Sequence, residues 1–417
     1  MDTDVCVAGG GPAGMMLALL LVRRGIRVVV LEKHDSFLRD FRGDTVHPST
    51  LDVLDELGLG HRLAGVPHRD VGSVRVTFAD GTYQVADFTR LPVAHPYLRF
   101  MPQWDLLELL AAEAGRFDGF TLLRSHEVID LVVSDGVVRG VVARGPDGPV
   151  EVRARLTVAA DGRQSTVRER LGLVPHEFGA PMDVLWFRLS RRLQDGDGLD
   201  MRVGAGRLML GIDRGDYWQI AYVIPKGGHE AVVALGLEAF RAQVAALAPR
   251  LADRVDQIAD WDDVKTLTVR VDRLRRWHAP GALLIGDAAH AMSPVGGVGI
   301  NLAIQDAVAA ARLLAGPLLD HRLNSRALAA VQARRTFPTV GTQLVQRLVQ
   351  RGLVGRALGA DRPVRAPLPL RLVNRVPAVQ TLPAWLVGVG LRPEHVVEGS
   401  TEQTDTSGAG GGRARRR

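Results

Sequence analysis

Asp4-Val5-Cys6-Val7-Ala8 runs straight into Gly9-Gly10-Gly11-Pro12-Ala13-Gly14, and an apolar stretch, Met15 to Val22, follows at once. A strand, a G-x-G-x-x-G loop and a helix in that order restrict the start of the chain to a βαβ unit built around a dinucleotide. Gly9 permits the tight turn, Gly11 lets a pyrophosphate approach the backbone, and Gly14 lets helix and strand pack closely. Pro12 and Ala13 open the helix, whose bared N–H groups hold phosphate charge. The second strand, Val28-Val29-Val30-Leu31, ends in Glu32 and Lys33. Glu32 stands where a carboxylate accepts hydrogen bonds from an adenosine ribose. Taken alone, the loop also fits an NAD-binding domain without flavin.

At 417 residues the chain exceeds what one core usually covers, so two lobes are expected. Its net charge of +6 suggests nucleic acid only until the last five residues are set aside. Arg413, Arg415, Arg416 and Arg417 supply four of those charges, and residues 1–412 carry only +2. A near-neutral body excludes an extended phosphate-binding face. The Gly/Ser/Thr/Arg-rich segment 400–417 is expected to be a disordered tail. Cys6, the single cysteine, excludes an internal disulfide and a cysteine-rich metal site, and its place in a strand makes it a small buried hydrophobe. No metal ligands are assigned. The first strand begins too close to Met1 for a signal peptide, and no apolar run reaches transmembrane length, so a cytoplasmic protein without stable membrane insertion is expected.

Residues 73–96 alternate around Asp80-Gly81 as a hairpin would, and a helix pattern returns at Trp104–Ala114. Strands follow around 121–123, 127–133, 137–144 and 151–159. A second block, 176–275, holds strand-like runs at 184–189, 207–212 and 217–224 and one helix at 236–247. An α/β pattern then resumes, with a strand at 282–285 and a helix at 300–314. One domain interrupted by another fits this order. The predicted fold class is α/β (α+β): a Rossmann-like domain from 1–72, 97–175 and 276–330, and a mixed β-sheet domain for substrate from 73–96 and 176–275. A C-terminal helical region covers 331–399. Thr342–Leu358, amphipathic and carrying Arg347, Arg351 and Arg356, is expected to pack on the main lobe.

Two further motifs follow the glycine loop. In the first, a strand ends in Asp161-Gly162, and Ser165-Thr166-Val167-Arg168 then starts a helix. Asp161 can also cap that turn. In the second, Ala282-Leu283-Leu284-Ile285-Gly286-Asp287-Ala288-Ala289-His290 delivers a carboxylate to a strand's C-terminal end, where ligands of open α/β sheets bind. A glycine-rich loop with Pro294, Gly297 and Gly299 then feeds the helix that begins at Ile300 and Asn301. His290 and His47 are read as packing residues.

The three motifs in order resemble the group A flavoprotein monooxygenases, the p-hydroxybenzoate hydroxylase family, over roughly residues 1–400. The resemblance implies that Gly9, Gly11, Pro12, Ala13, Gly14, Glu32 and Lys33 bind the ADP half of FAD. Val128 joins that half, and Arg42 meets the ribityl-phosphate side. Gln103, which could equally cap its own helix, is a polar FAD contact. Asp161 is shared between FAD and NAD(P)H. Asp287 holds the ribityl chain, with Pro294, Gly297, Gly299, Ile300 and Asn301 around the isoalloxazine. The implied reaction is hydroxylation of an aromatic or polyketide-like small molecule. NADPH or NADH acts as transient co-substrate, and O2 is activated as a flavin C4a-hydroperoxide kept dry by the protein. The family implies a monomer or homodimer.

A flavin-dependent halogenase shares the fold, but Trp218-Gln219-Ile220-Ala221-Tyr222 lacks the W-x-W-x-I-P motif, and Lys33, Lys226 and Lys265 leave no lysine between residues 34 and 225. A flavin oxidase or reductase of a secondary metabolite or isoprenoid remains as the alternative. No residue announces the substrate.

Overall fold

Ala13 to Val22 are all buried, so the first helix is apolar on every side and can only lie inside the molecule. In the computed structural model, which describes residues 1–38 and 45–396, this helix (Pro12–Val22) packs against the helices Gln103–Ala114 and Gly299–Leu319. Behind it stands an eight-stranded sheet whose path runs His278–Ala279, Ala282–Leu284, Gly148–Ala159, Asp2–Ala8, Val28–Glu32, Phe120–Arg124. From Ala282–Leu284 to Phe120–Arg124 the pairings are parallel. Val5, Val7, Val28, Val30, Leu156 and Val158 form one face of that sheet and join the helix in a single apolar cluster. Each such side chain, fully buried, contributes about 1.5–3 kcal/mol. Cys6 lies in the cluster on the opposite face, and burial pushes its thiol up to about 12.

A second sheet of seven strands runs in the order Lys265–Leu267, Met182–Ser190, Tyr217–Pro225, Arg207–Asp213, Leu199–Gly204, Ser73–Phe78, Gly81–Asp87. The expected hairpin at Asp80-Gly81 is present. It joins the distant strands through a parallel pairing of Met201 with Val76. Leu199–Gly204 was not predicted: with Asp200, Arg202 and a terminal glycine it lacks an apolar run. One face of the sheet, through Leu185, Phe187 and Leu189, packs on Phe240 and Val244 of the helix Leu237–Leu247.

The chain then runs through Ser325–Val349, which packs on Gly299–Leu319, into a short π-helical turn and a last turn at Gly355–Leu358. The expectation that Thr342–Leu358 packs on the main lobe holds for one side only. Gln343, Gln346 and Gln350 are buried, whereas Leu344 and Leu348 are 53% and 63% exposed. One helical span, Val295–Leu319, has the length and mean hydropathy of a membrane crossing, but Asn301, Gln305, Asp306 and Arg312 interrupt it and most of it is buried inside the protein. Arg42 and the 400–417 tail lie outside the described residues.

Candidate functional site

Parallel register brings the three motifs together. Leu31 pairs with Ala8, Ala8 with Ala159, and Ala159 with Leu284, so four neighbouring strands end in one row. The backbone continues the row for one residue: Gly9 N donates to Leu31 O at 2.8 Å, Ala160 N to Ala8 O at 2.8 Å, and Ile285 N to Ala159 O at 3.0 Å. Gly9, Glu32, Asp161 and Gly286-Asp287 therefore emerge along one carboxyl edge, where open α/β sheets bind ligands.

The glycines have different reasons to be there. Gly9 has φ +100°, and a Cβ on it would lie 2.4 Å from Ala160 O. A Cβ on Gly14 would lie 2.1 Å from Gly9 O and 3.1 Å from Val7 Cγ1. Gly11 has an ordinary φ of −75°, and among the described residues the nearest atom to its Cβ position is Ala160 O at 4.0 Å. The first and last glycines close the turn on itself, and the middle one leaves a cradle. Pro12 and Ala13 form the first turn of the helix. Glu32 is buried. Its Oε2 accepts Gly10 N and its Oε1 accepts His34 N, each at 3.0 Å, so the carboxylate pins the loop from below. Lys33, beside it, is exposed. Val128 is buried two residues after His126, whose N–H donates to Glu32 O at 2.9 Å.

At the second motif, Ser165 caps the short helix Thr166–Arg170 by accepting Arg168 N at 3.0 Å, as its position predicts. Asp161 Oδ2 accepts Val167 N at 3.3 Å, and its Oδ1 is buried with no partner among the described residues. Burial pushes this carboxyl up. An orphaned acceptor at a sheet edge costs about 1–3 kcal/mol unless something donates to it. The second and third motifs are tied directly, because Arg163 Nε donates to Asp287 Oδ2 at 2.9 Å. Arg168 reaches Ala288 O at 3.2 Å.

Gly296 and Gly297 adopt φ +80° and +64°, which favours glycine at both. Pro294, Gly297 and Gly299 are half-buried and lead into the helix that holds buried Ile300 and Asn301. The Asn301 side chain is engaged elsewhere: Oδ1 accepts Ser49 Oγ at 3.0 Å and Thr50 Oγ1 at 2.7 Å. That oxygen is therefore committed within the protein. Gln103 is the first residue of its helix, not its cap. Pro102 holds the cap position, and no side chain bonds there.

Sequence reasoning missed the residues that hold this loop. Gln346 Nε2 donates to Ser293 O at 2.9 Å and Val295 O at 2.7 Å, and its Oε1 accepts Ser293 N at 3.2 Å. Gln343 Nε2 donates to Asp272 O and Ala291 O, and Gln350 Nε2 to Ser293 Oγ. Glutamines at 343, 346 and 350 repeat at helical spacing, and that was the available signal. His290 packs on the Trp277 ring at 4.7 Å between centroids and meets Asp306 Oδ2 at 2.6 Å, in keeping with a packing role.

His47 is fully buried, with Nε2 donating to Gly296 O at 3.1 Å. Burial pushes its imidazole down to about 4. The unfolded chain, with an ordinary histidine near 6.5, then binds the extra proton between those values, so this contribution to stability is complete above about pH 6.5 and is lost as pH falls toward 4. The loss amounts to about 3 kcal/mol. Urea unfolding at pH 7.5 and 4.5 should therefore show a steeper acid loss in the wild-type protein than in His47→Gln, and equal losses would refute the burial account.

The described residues fit a bound FAD: an open cradle at Gly11, a buried orphan acceptor at Asp161, and a strand-end carboxylate at Asp287. Comparison with known proteins points the same way. A family profile described as "FAD binding domain" matches residues 2–347. The chain is 38% identical over 386 residues to the 6-methylpretetramide 4-monooxygenase of Streptomyces rimosus, covering 91% of each. It is 35% identical over 328 residues to the 12-dehydrotetracycline 5-monooxygenase/anhydrotetracycline 6-monooxygenase of the same species, covering 74% of this chain and 61% of that one. The solved structure of the OxyS anhydrotetracycline hydroxylase, also from Streptomyces rimosus, superposes with a TM-score of 0.73 at 26% identity, covering 96% of this chain and 78% of that one.

Proposed function

Because this chain belongs to the FAD-binding family that its residues 2–347 match, and is a flavin-dependent monooxygenase, we propose that it hydroxylates a polycyclic aromatic polyketide. The convergence of Gly9, Glu32, Asp161 and Asp287 on one sheet edge carries the reading, since it supplies a single extended site for one dinucleotide. In this proposal Gly9, Gly11, Pro12, Ala13, Gly14, Glu32 and Lys33 hold the ADP half, with Val128 behind Glu32. Asp161 offers its orphaned oxygen to a ligand hydroxyl. Asp287 holds the middle of the cofactor, the backbone of Pro294 to Asn301 lies along the ring system, and Gln103 is a polar contact; Arg42, which lies outside the described residues, would meet the ribityl-phosphate side. Bound FAD supplies electron transfer from NAD(P)H and the activation of O2.

The chain's own part is to position and to keep water out. The substrate side is supported by the seven-stranded sheet. Residues 1–72, 97–175 and 276–330 make the cofactor unit, and 73–96 with 176–275 face it. Trp186, Ala221, Leu210 and Met201 pair across four strands in one row. Half-buried Trp186 and Leu210 pack in both apolar clusters that Val295 and Val387 join. The Trp186 indole N–H is buried without a partner among the described residues, beside an apolar row suited to a flat ring system. A planar molecule carrying acceptor oxygens matches both properties.

The purified holoenzyme should oxidise NADPH or NADH slowly alone and at least tenfold faster with 6-methylpretetramide or anhydrotetracycline, and labelled dioxygen should appear as one oxygen atom in the product. Hydrogen peroxide as the sole product with every polycyclic phenol tested would refute the assignment.

A further inference from the structure

Asp306 lies in the middle of the helix Gly299–Leu319 with its side chain fully buried, and no role in binding is assigned to it. Its Oδ2 accepts Gly286 N at 3.1 Å and meets His290 Nε2 at 2.6 Å, so one carboxylate oxygen grips both ends of the turn that carries Asp287. Its Oδ1 accepts Arg335 Nε at 2.9 Å from the neighbouring helix. Arg335, 1% exposed, reaches on through Nη1 to Arg392 O at 3.1 Å and to Glu394 Oε1 at 3.4 Å. Glu394 is fully buried too, and takes Arg334 at 2.6 Å and Arg312 at 2.9 Å. Val396 N, two residues on, donates to Glu56 Oε2 at 2.7 Å, which fastens this stretch to the helix Pro48–Glu56.

Buried charges are expensive, and a hydrophobic set of the same volume would serve packing as well or better. Burial alone would push the Asp306 carboxyl up. The facing His290 and Arg335 outweigh it and hold the group below the usual carboxylate range, so the carboxylate stays charged as an acceptor for the Gly286 N–H. The chain of contacts also has a direction: it starts at a turn with its own left-handed residue, Gly286 at φ +56°, and ends on a segment more than a hundred residues later. Past Ile285 the backbone leaves the strand, and the turn is held by the Asp306 carboxylate, by Arg168 Nη1 donating to Ala288 O at 3.2 Å and by Leu274 N donating to Ala289 O at 2.9 Å.

We propose that Asp306, Arg335 and Glu394 are positioning residues through which the segment Arg392–Val396 sets the geometry of the Gly286–His290 turn, and thereby the affinity of Asp287 for the cofactor. This rests on the reading above that Asp287 faces FAD. The segment is a strut, and FAD binding and the docking of residues 392–396 reinforce one another through it.

The test uses the full-length protein. In Glu394→Gln, backbone hydrogen exchange should quicken in residues 286–290 and 392–396 while the central strands keep their protection, and the FAD dissociation constant of the apoprotein should rise at least tenfold. Arg335→Met should act in the same direction, with Arg335→Lys recovering part of the affinity. Quicker exchange in every strand alike would reduce the network to general stability and overturn the proposal, as would an FAD constant within twofold of wild type in both Glu394→Gln and Arg335→Met. Asp287→Ala separates the two claims. If it weakens FAD while the network variants do not, the strut is wrong. If it leaves FAD binding intact, the assignment of Asp287 is wrong, and local exchange at 286–290 alone decides the strut.

Discussion

Asp287→Ala is expected to purify with little bound FAD, its dissociation constant raised about a hundredfold, while the apoprotein unfolds close to the wild-type midpoint. The two halves of that expectation come from different magnitudes. A carboxylate that accepts two hydrogen bonds from ligand hydroxyls contributes about 1.5–3 kcal/mol per bond, and about 2.7 kcal/mol already corresponds to a hundredfold. Among the described residues the Asp287 side chain meets Arg163 alone, at 2.9 Å, and both side chains are 30% exposed, so the ion pair contributes little to folding. The turn itself does not depend on the side chain, because Ala289 N donates to Gly286 O at 2.9 Å and Gly286 N to Asp306. Flavin absorbance relative to protein absorbance reads the first half and thermal unfolding of the apoprotein the second. Full flavin occupancy in this variant would remove Asp287 from the site.

How far the sequence reveals this site depends on the distance over which each part is determined. The glycine loop is local: Gly9, Gly14 and the apolar helix after them fix each other within a few residues, and the structure holds them as expected. Ser165 is local too, since an N-cap needs only the backbone three residues ahead. The alignment of Ala8, Ala159 and Leu284 is not local. It follows from parallel pairing between strands separated by more than a hundred residues, and only the shared form of their ends, glycine or Asp-Gly after an apolar run, indicated it. The Leu199–Gly204 strand was missed because its position beside Ser73–Phe78 is decided by the neighbour and not by its own pattern. Gln343, Gln346, Arg335 and Asp306 look like solvated polar residues in sequence. Gln343, Gln346 and Asp306 are buried because the stretches at Asp272, Gly286 and Ala291–Val295 present carbonyls and N–H groups that the sheet does not satisfy, and Arg335 because it joins Asp306 to the Arg392 carbonyl. A polar stripe on an otherwise packed helix marks a neighbour with unpaired backbone.

The glycines of the opening motif should separate into two kinds when replaced by alanine. Gly14→Ala places a methyl 2.1 Å from Gly9 O and 3.1 Å from Val7 Cγ1. The first of these contacts is backbone, at a turn whose own Gly9 already stands against Ala160, so neither side can yield. The helix Pro12–Val22 must move off the sheet at the centre of the largest apolar cluster. Overpacking of this sort costs about 1–3 kcal/mol where side chains can adjust, and more is expected where only backbone can. Gly14→Ala should therefore lower the unfolding midpoint of the apoprotein in urea markedly, or accumulate insoluble. Gly11→Ala should not. Its φ of −75° suits any residue, and among the described residues the new methyl would meet nothing closer than Ala160 O at 4.0 Å. The methyl would instead occupy the cradle, so the apoprotein should unfold within about 0.5 kcal/mol of wild type while FAD binding falls at least tenfold. If Gly11→Ala binds FAD normally, no phosphate approaches the chain there. If both variants lose stability equally, the loop is a packing motif throughout and the cradle has been misread.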